Sequence, residues 1–365
     1  VTRSRLATVD VRPVRWPLRR PFVTALGQKS HSDNVLVRVR LTDGTEGWGE
    51  ASASLAMPWQ TGPVLARALR ALADRFRGRD VRDIEPLVHD VWVAQGKKAP
   101  TAAGAFESAV WDALARHEKT PLCELWGGSR SAVETVLSIS ALDPDEMGRR
   151  ARAAVRAGWR LLKLKLNGRD SPAMNRDRLR CVRRNAPRAR LLADPNQSYD
   201  PDGLQVLLQE CRQDGIDIEL VEEPFPKGDL DALAEANKRR LGPLICDESI
   251  QNEFDAERLC SGFGVWGANI KLAKSGFLGG RAVARACDRA RRGRALLMIG
   301  CMAESRIGLA SAVHFAWGFG GFDYADLDSD LILKPTFAQG GYVRRGPWLE
   351  RPRFPRPGLG LGVRL

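Results

Sequence analysis

Between Leu161 and Lys271 the sequence repeats one small pattern, a short apolar run that ends in a charged residue. The run Lys163-Leu164-Lys165 comes first. Leu192-Ala193-Asp194-Pro195-Asn196, Val221-Glu222-Glu223-Pro224, Cys246-Asp247-Glu248-Ser249 and Asn269-Ile270-Lys271 follow. The runs recur about every 25–30 residues, the length of one strand–helix unit. Strands alternating with helices imply right-handed crossovers and a parallel sheet. A parallel barrel brings all its strand ends to one mouth, whereas an open doubly wound sheet does not gather so many. A barrel with functional groups at its mouth is therefore the expectation.

The strands expected on this pattern are 136–140, 161–166, 190–194, 218–222, 244–247, 268–271 and 295–299. Helical segments rich in Ala, Leu and Arg separate them. One begins at Met147, with Ala151, Ala154 and Val155 on the same face. An eighth strand should end near Asp326-Leu327-Asp328.

The first third of the chain reads differently. Residues 9–15 and 35–41 alternate as strands do, and Thr42-Asp43-Gly44-Thr45 is a hairpin turn. Residues 19–31 read as a polar, glycine-containing connection. A second loop, 51–61, follows Gly47-Trp48-Gly49-Glu50. A helical stretch then places Phe106, Val110, Ala113, Leu114 and His117 on one face, flanked by Trp111, which makes His117 a partly buried helix-end residue. The organisation expected is an α+β capping domain over 1–127, a barrel over 128–335 and a C-terminal segment, 336–365, that packs back on the cap. A chain of 365 residues is long enough for a large domain plus a smaller one.

Net charge is +13, carried mainly by arginine. The arginines are scattered along helix-like segments, with neither a dense block nor an aromatic-interleaved patch, so no nucleic-acid partner is expected. Seven cysteines without a CxxC pair point to reduced thiols and a cytoplasmic protein. The first twenty residues lack the apolar core of a signal peptide, and no apolar run is long enough to span a membrane.

Asp194, Glu222 and Asp247 come from three neighbouring strand ends as hard oxygen donors. With no His or Cys beside them they suit Mg²⁺ rather than zinc. Glu223 and Glu248 follow two of them directly, and in a strand adjacent residues point to opposite faces, so only one of each pair can face a metal. Lys163 and Lys165 are two apart and share a face. Like-charge repulsion is expected to depress their pKa values and make a lysine usable as a base. Lys271 comes from the far side of the barrel, and Lys274 is out of strand phase and expected in solvent. A carboxylate substrate held by the metal would present its α-proton to a lysine on one face, and the second face could return a proton.

These residues resemble those of the enolase superfamily, in the muconate-lactonising subgroup, for which lysine bases and Mg²⁺-bound ene-diolates are known. The resemblance covers nearly the whole chain and implies a modified TIM barrel, (β/α)7β, with an N-terminal α+β capping domain completed by the C-terminal tail. It implies acid/base roles for Lys165 and Lys271, substrate and enolate contact for Lys163, and Mg²⁺ ligation by Asp194, Glu222 and Asp247. The histidine of the mandelate-racemase branch has no counterpart around Met298-Ile299-Gly300-Cys301-Met302.

Within the subgroup the chain looks most like the dipeptide epimerases. These carry a DxD motif for the substrate's α-ammonium, matched by Asp326 and Asp328. They also carry a GCMxES-like stretch, matched by Gly300-Cys301-Met302-Ala303-Glu304-Ser305. Cys301 and Ser138 would line the pocket. The expected activity is epimerisation of a dipeptide at its C-terminal residue. The alternative is N-acylamino-acid racemisation or o-succinylbenzoate synthesis with the same lysines and metal. Thr24-Ala25-Leu26-Gly27 resembles the loop of the L-Ala-D/L-Glu epimerases, which place an arginine where Gly27 stands, so specificity for L-Ala-Glu is not expected. The substrate partner is a small molecule, and a homo-oligomer is left open.

Overall fold

The computed structural model describes residues 4–128, 130–352 and 360–364. The chain opens with an antiparallel sheet of β1 (Leu6–Thr24), β2 (Gly27–Leu41) and β3 (Glu46–Ser52), in that order. β1 and β2 pair from Leu6↔Leu41 out to Thr24↔Gly27, with a register shift between Pro17 and Phe22. Residues 19–31, read from sequence as a connection, are therefore the far end of a long hairpin. Pro17 and Pro21 cannot donate to the ladder and coincide with the shift, which is why no strand alternation shows there. Two helices cover this sheet, α1 (Gly62–Phe76) and α3 (Pro100–His117), and α2 (Ile84–Gln95) packs against both of them. α3 is buried from Pro100 to Ala115, and His117 ends it with Nδ1 2.6 Å from Asp43 Oδ2.

Two short elements, α4 (Leu122–Leu125) and β4 (Ala132–Glu134), lead into the barrel. Its strands are β5 (Leu137–Ile139), β6 (Leu161–Lys165), β7 (Arg190–Asp194), β8 (Leu220–Glu222), β9 (Leu244–Cys246), β10 (Gly267–Lys271), β11 (Leu296–Gly300) and β12 (Tyr324–Asp326). They form one eight-stranded sheet in sequential order, and every pair is parallel. The ends of the sheet meet through the Val136 amide, which donates to the Ala325 carbonyl at 2.8 Å. The Leu327 amide adds a bond to Thr135 Oγ1 at 2.7 Å.

The intervening helices are α5 (Pro144–Arg156), α6 (Pro172–Asn185), α7 (Pro201–Gln213), α8 (Leu230–Arg239), α9 (Glu253–Gly262), α10 (Leu272–Ala290) and α11 (Arg306–Phe319). Six of them start on a side-chain cap, from Asp143, Ser171, Asp200, Asp229, Asn252 or Ser305. A cap oxygen satisfies amides that the first helical turn leaves unpaired, which fixes where each strand-to-helix loop ends.

The barrel interior has two chemical layers. Val136, Leu161, Leu192, Leu220, Ile245 and Met298 form a separate apolar cluster. Two residues further along the same strand faces stand Lys163, Asp194, Glu222 and Asp247. The alternate positions, such as Leu162, Leu164, Leu191, Ala193 and Val221, belong to the large core shared with the helices. The charges thus rest on an apolar floor inside a wall that packs outward.

After β12 come α12 (Ser329–Ile332), β13 (Gln339–Gly340), β14 (Val343–Arg345), β15 (Trp348–Glu350) and β16 (Val363–Arg364). β15 pairs with both β14 and β4, and β13 pairs with β16. The returning tail reaches the N-terminal unit. The Leu361 amide donates to Asp112 Oδ1 at 2.7 Å, and Arg116 Nη2 to the Val363 carbonyl at 2.7 Å. Residues 353–359 and 365 of the expected tail lie outside the described residues. No described helix is long and apolar enough to cross a membrane.

Candidate active site

The sequence places a charge at or directly after the ends of β6, β7, β8, β9, β10 and β12, and the strand order places those ends around one mouth. β6 and β10 are four strands apart in an eight-stranded ring, so Lys165 and Lys271 face each other across it. β7, β8 and β9 fill one arc between them, and β12 lies in the other. The pocket above the mouth is bordered by Lys165, Asp247, Lys271, Ser138, Cys301, Asp326 and Asp328. Lys163, Asp194 and Glu222 lie below it, each about 1 % exposed.

Lys163 occupies the centre. Its Nζ is 2.7 Å from Asp326 Oδ2, 2.6 Å from Glu222 Oε2 and 3.1 Å from Asp194 Oδ2. Only the Asp326 contact has the angles of a hydrogen bond. Lys165 donates to Asp194 Oδ2, and Lys271 Nζ donates to Asp247 Oδ2 at 2.6 Å. For Lys163, the depressed pKa expected from repulsion is not what this arrangement produces. Burial pushes the Lys163 ammonium down, but Asp326, Glu222 and Asp194 together raise it well above the usual lysine value. Lys271 is raised too, burial being outweighed by Asp247 and Glu222. Close carboxylates outweigh like-charge repulsion while nothing else neutralises them.

The donor set fits a hard divalent cation. Asp194, Glu222 and Asp247 offer only oxygen, and each is oriented by a neighbour. Asn269 Nδ2 donates to Glu222 Oε1 at 2.8 Å, and the Asn196 amide to Asp194 Oδ1 at 3.1 Å. Asn196 Oδ1 and Asn269 Oδ1 are buried without a hydrogen-bond partner. As the side chains stand, among the described residues no three His, Cys, Asp or Glu side chains are turned onto one point. Lysine ammonium groups occupy those oxygens.

The DxD pair and Ser138 form one unit. The Ser138 amide donates to Asp328 Oδ2 at 2.7 Å, and its hydroxyl to Asp326 Oδ1 at 3.1 Å. Cys301 Sγ donates to the Asp326 carbonyl at 3.2 Å. Burial tends to raise Asp326, but Lys163, Lys165 and Lys271 bring it below the ordinary value. Asp328 is pushed up to about 6, first by burial and then by the Asp326 charge.

Lys274, Glu248 and Glu50 stand where sequence did not put them. Lys274, expected in solvent, is 4 % exposed and bonded to Asp247. The strand stops at Lys271 and the chain turns helical, so three residues on is the same side again. Glu223 points away from the carboxylate triad: its Oε2 accepts from the Asp247 and Ser249 amides at 2.6 and 3.2 Å. Glu248, by contrast, borders the pocket beside Asp247, because β9 ends at Cys246 and strand alternation no longer applies. Glu50, noticed in sequence only as a loop boundary, is a buried brace. Its Oε1 accepts from Trp16 Nε1 at 2.8 Å and Asn34 Nδ2 at 2.7 Å, and its Oε2 from the Ser305 amide at 2.9 Å. A glutamate closing a glycine-rich strand against a GCMxES stretch was the available signal.

The remaining wall comes from the N-terminal unit. Leu18, Phe22, Leu26, Leu55 and Met57 line it, with Lys29. Gly27 sits at the hairpin tip with φ 137°, and a Cβ there would lie 3.6 Å from Leu55 Cδ1. Lys29 Nζ donates to the Ala53 carbonyl at 2.7 Å, joining hairpin and loop.

Residues 6–127 match the N-terminal domain of the mandelate racemase / muconate lactonizing enzymes, and residues 146–365 match the enolase C-terminal domain-like model. The chain is 35 % identical to the L-Lys-D/L-Arg epimerase of Methylococcus capsulatus over 98 % of this chain and 99 % of that protein. It is 32 % identical to the aromatic dipeptide epimerase of Herpetosiphon aurantiacus over 95 % and 96 %. Among solved structures it superposes with a TM-score of 0.91 on the dipeptide epimerase from Enterococcus faecalis complexed with Mg and L-Leu-L-Tyr, at 27 % identity, covering 98 % of this chain and 99 % of the other. Two domain matches that together span most of the chain, and relatives alike over nearly its full length, lead to one conclusion: the chain belongs to the enolase superfamily.

Proposed function

We propose that this protein is a Mg²⁺-dependent dipeptide epimerase that exchanges the α-proton of the C-terminal residue. The observation that carries the reading is one pocket with an ammonium on each of two opposite walls and a carboxylate pair between them. Asp194, Glu222 and Asp247 would hold the cation. Bound there, Mg²⁺ would polarise the substrate carboxylate and make the α-proton more acidic.

The chain's own residues do the rest. Asp326 and Asp328 receive the dipeptide's α-ammonium; Asp328 Oδ1 makes no hydrogen bond among the described residues and is open to it. Lys165 and Lys271 flank the α-carbon. One takes the proton and the other delivers one to the opposite face, which inverts the centre. Lys163 contacts the developing negative charge. The N-terminal wall excludes water and selects side chains. Its apolar lining, and the absence of an arginine at Gly27, favour substrates other than L-Ala-Glu. A small pocket, mostly apolar with a few placed charges, is the usual form of a specific site.

The test is deuterium uptake. The protein is incubated with Mg²⁺ in D₂O and pools of L,L-dipeptides sorted by acidic, apolar and basic side chains, then assayed by mass spectrometry. One deuteron gained at the α-carbon in at least one pool is expected. No uptake in any pool, with uptake into N-acylamino acids, would replace this reading by N-acylamino-acid racemisation.

A further inference from the structure

Lys274 has no part in the proton transfers above, yet few side chains in the site are held as firmly. Its Nζ donates to the Asp247 carbonyl, to Asp247 Oδ1 and, at 3.0 Å, to the Asn269 carbonyl. An ammonium has three donors, and here each has an acceptor. The turn that carries it is fixed from the N-terminal unit. α10 bends at Gly276, with φ 64° and ψ −169°. A Cβ at that position would lie 1.7 Å from Glu107 Oε2. Glu107 Oε1 accepts from the Phe277 and Leu278 amides at 3.0 and 3.2 Å, capping the helix beyond the bend.

Asp247 therefore serves two lysines. Oδ1 belongs to Lys274, which two backbone carbonyls keep in place, and Oδ2 faces Lys271. The opposite wall is built differently. There Lys165 also meets a carboxylate, but the second oxygen of Asp194 is held by the Asn196 amide rather than by a cation. We propose that Lys274 is a positioning residue: by fixing the rotation of the Asp247 carboxylate it sets the line along which Lys271, and not Lys165, meets the substrate. This rests on the epimerase reading for its kinetic consequence and on the geometry alone for its structural one.

Two variants test it. Lys274→Met removes all three donors. Lys274→Gln keeps amide hydrogens for the backbone carbonyls without the charge, and decides the matter if the first does not fold. Each is given both epimers of a dipeptide turned over by the wild type, and α-deuterium uptake is followed separately. Lys165→Ala and Lys271→Ala identify which epimer each lysine serves. Uptake from the epimer served by Lys271 should fall about tenfold or more relative to the other, within the range of one acid/base contribution. Equal losses for both epimers, or none, overturn the proposal. Crystal structures of wild type and Lys274→Gln give a readout that needs no substrate. The Asp247 carboxylate and Lys271 Nζ should move while Lys165 and Asp194 stay. An unmoved pair overturns the proposal even if the wild type acts on dipeptides, whereas a moved pair with no dipeptide turnover faults only the epimerase reading.

Discussion

The pocket has two walls of opposite character. The barrel wall carries the charge: Lys163 pairs with Asp194, Glu222 and Asp326, Lys165 with Asp194, Lys271 and Lys274 pair with Asp247, and Asp328 is held by the Ser138 amide, all over an apolar floor. The wall from the N-terminal unit is mostly hydrocarbon, and among the described residues Lys29 is the cation lining it, bonded to a backbone carbonyl. Charges in the barrel constrain one another, so each substitution there disturbs its neighbours. Leu18, Phe22, Leu26, Leu55 and Met57 on the other wall line the same pocket without a charge of their own. The division predicts that chemistry and selectivity can change separately in this molecule.

The strongest way to break that division is on the barrel side. Lys165→Ala and Lys271→Ala should each lower epimerisation by roughly 10²–10⁴-fold, because each removes a whole proton transfer. Exchange of one epimer's α-proton should survive in each variant. Full two-way turnover in either would end the two-base scheme. Next comes Asp328→Asn. Loss of a charged hydrogen bond to the substrate ammonium is worth about 1.5–3 kcal/mol. The expected fall in kcat/KM is about 10–100-fold for dipeptides and much less for N-acylated amino acids, which lack the ammonium; an equal fall for both would remove Asp328 from that role.

Asp328 also sets a pH dependence. Its carboxyl is pushed up to about 6, so it is charged above that value and neutral below it. Asp326 lies on the other side of its ordinary value and stays ionised. KM for a dipeptide should therefore rise as pH falls through about 6, and Asp328→Asn should abolish that rise. A wild-type KM flat across the interval would contradict it.

The two walls were not equally legible in the sequence. The barrel was, because strand alternation is a two-residue code. Leu161-Lys163-Lys165, Leu192-Asp194, Leu220-Glu222 and Ile245-Asp247 each step from floor to mouth along one strand face. The code failed where the strand ended. Lys274 and Glu248 lie just past β10 and β9, where a helical turn or an irregular segment resets the direction of every side chain. The N-terminal wall was less legible. Its hairpin runs through prolines and polar residues near the tip, so alternation shows only in the first half of β1 and the second half of β2. The pairing of the tail strands β13 and β16 depends on contacts between segments far apart in sequence, and no local pattern encodes those.

Gly27 shows how backbone geometry limits what this wall can become. With φ at 137°, an L side chain is strained there, so Gly27→Arg should give no useful activity on L-Ala-L-Glu despite supplying the missing cation. Gain of that activity would mean the hairpin tip re-forms around the new residue.

The smallest expected effect is at Lys29, and it tests the division most finely. Burial lowers the Lys29 ammonium below the usual lysine value, with Asp33 opposing, and its hydrogen bond is to the Ala53 carbonyl. Lys29→Met keeps the length and the apolar stem but releases the loop that carries Leu55 and Met57. If this wall only selects, KM should rise about three- to tenfold, less than for a direct charged contact because the lost bond holds the loop and not the substrate, with kcat unchanged. Acidic side chains should suffer more than apolar ones, since the wall loses the Lys29 cation. A matching fall in kcat would show that the loop also helps place the α-carbon between Lys165 and Lys271, and the two walls would then act as one.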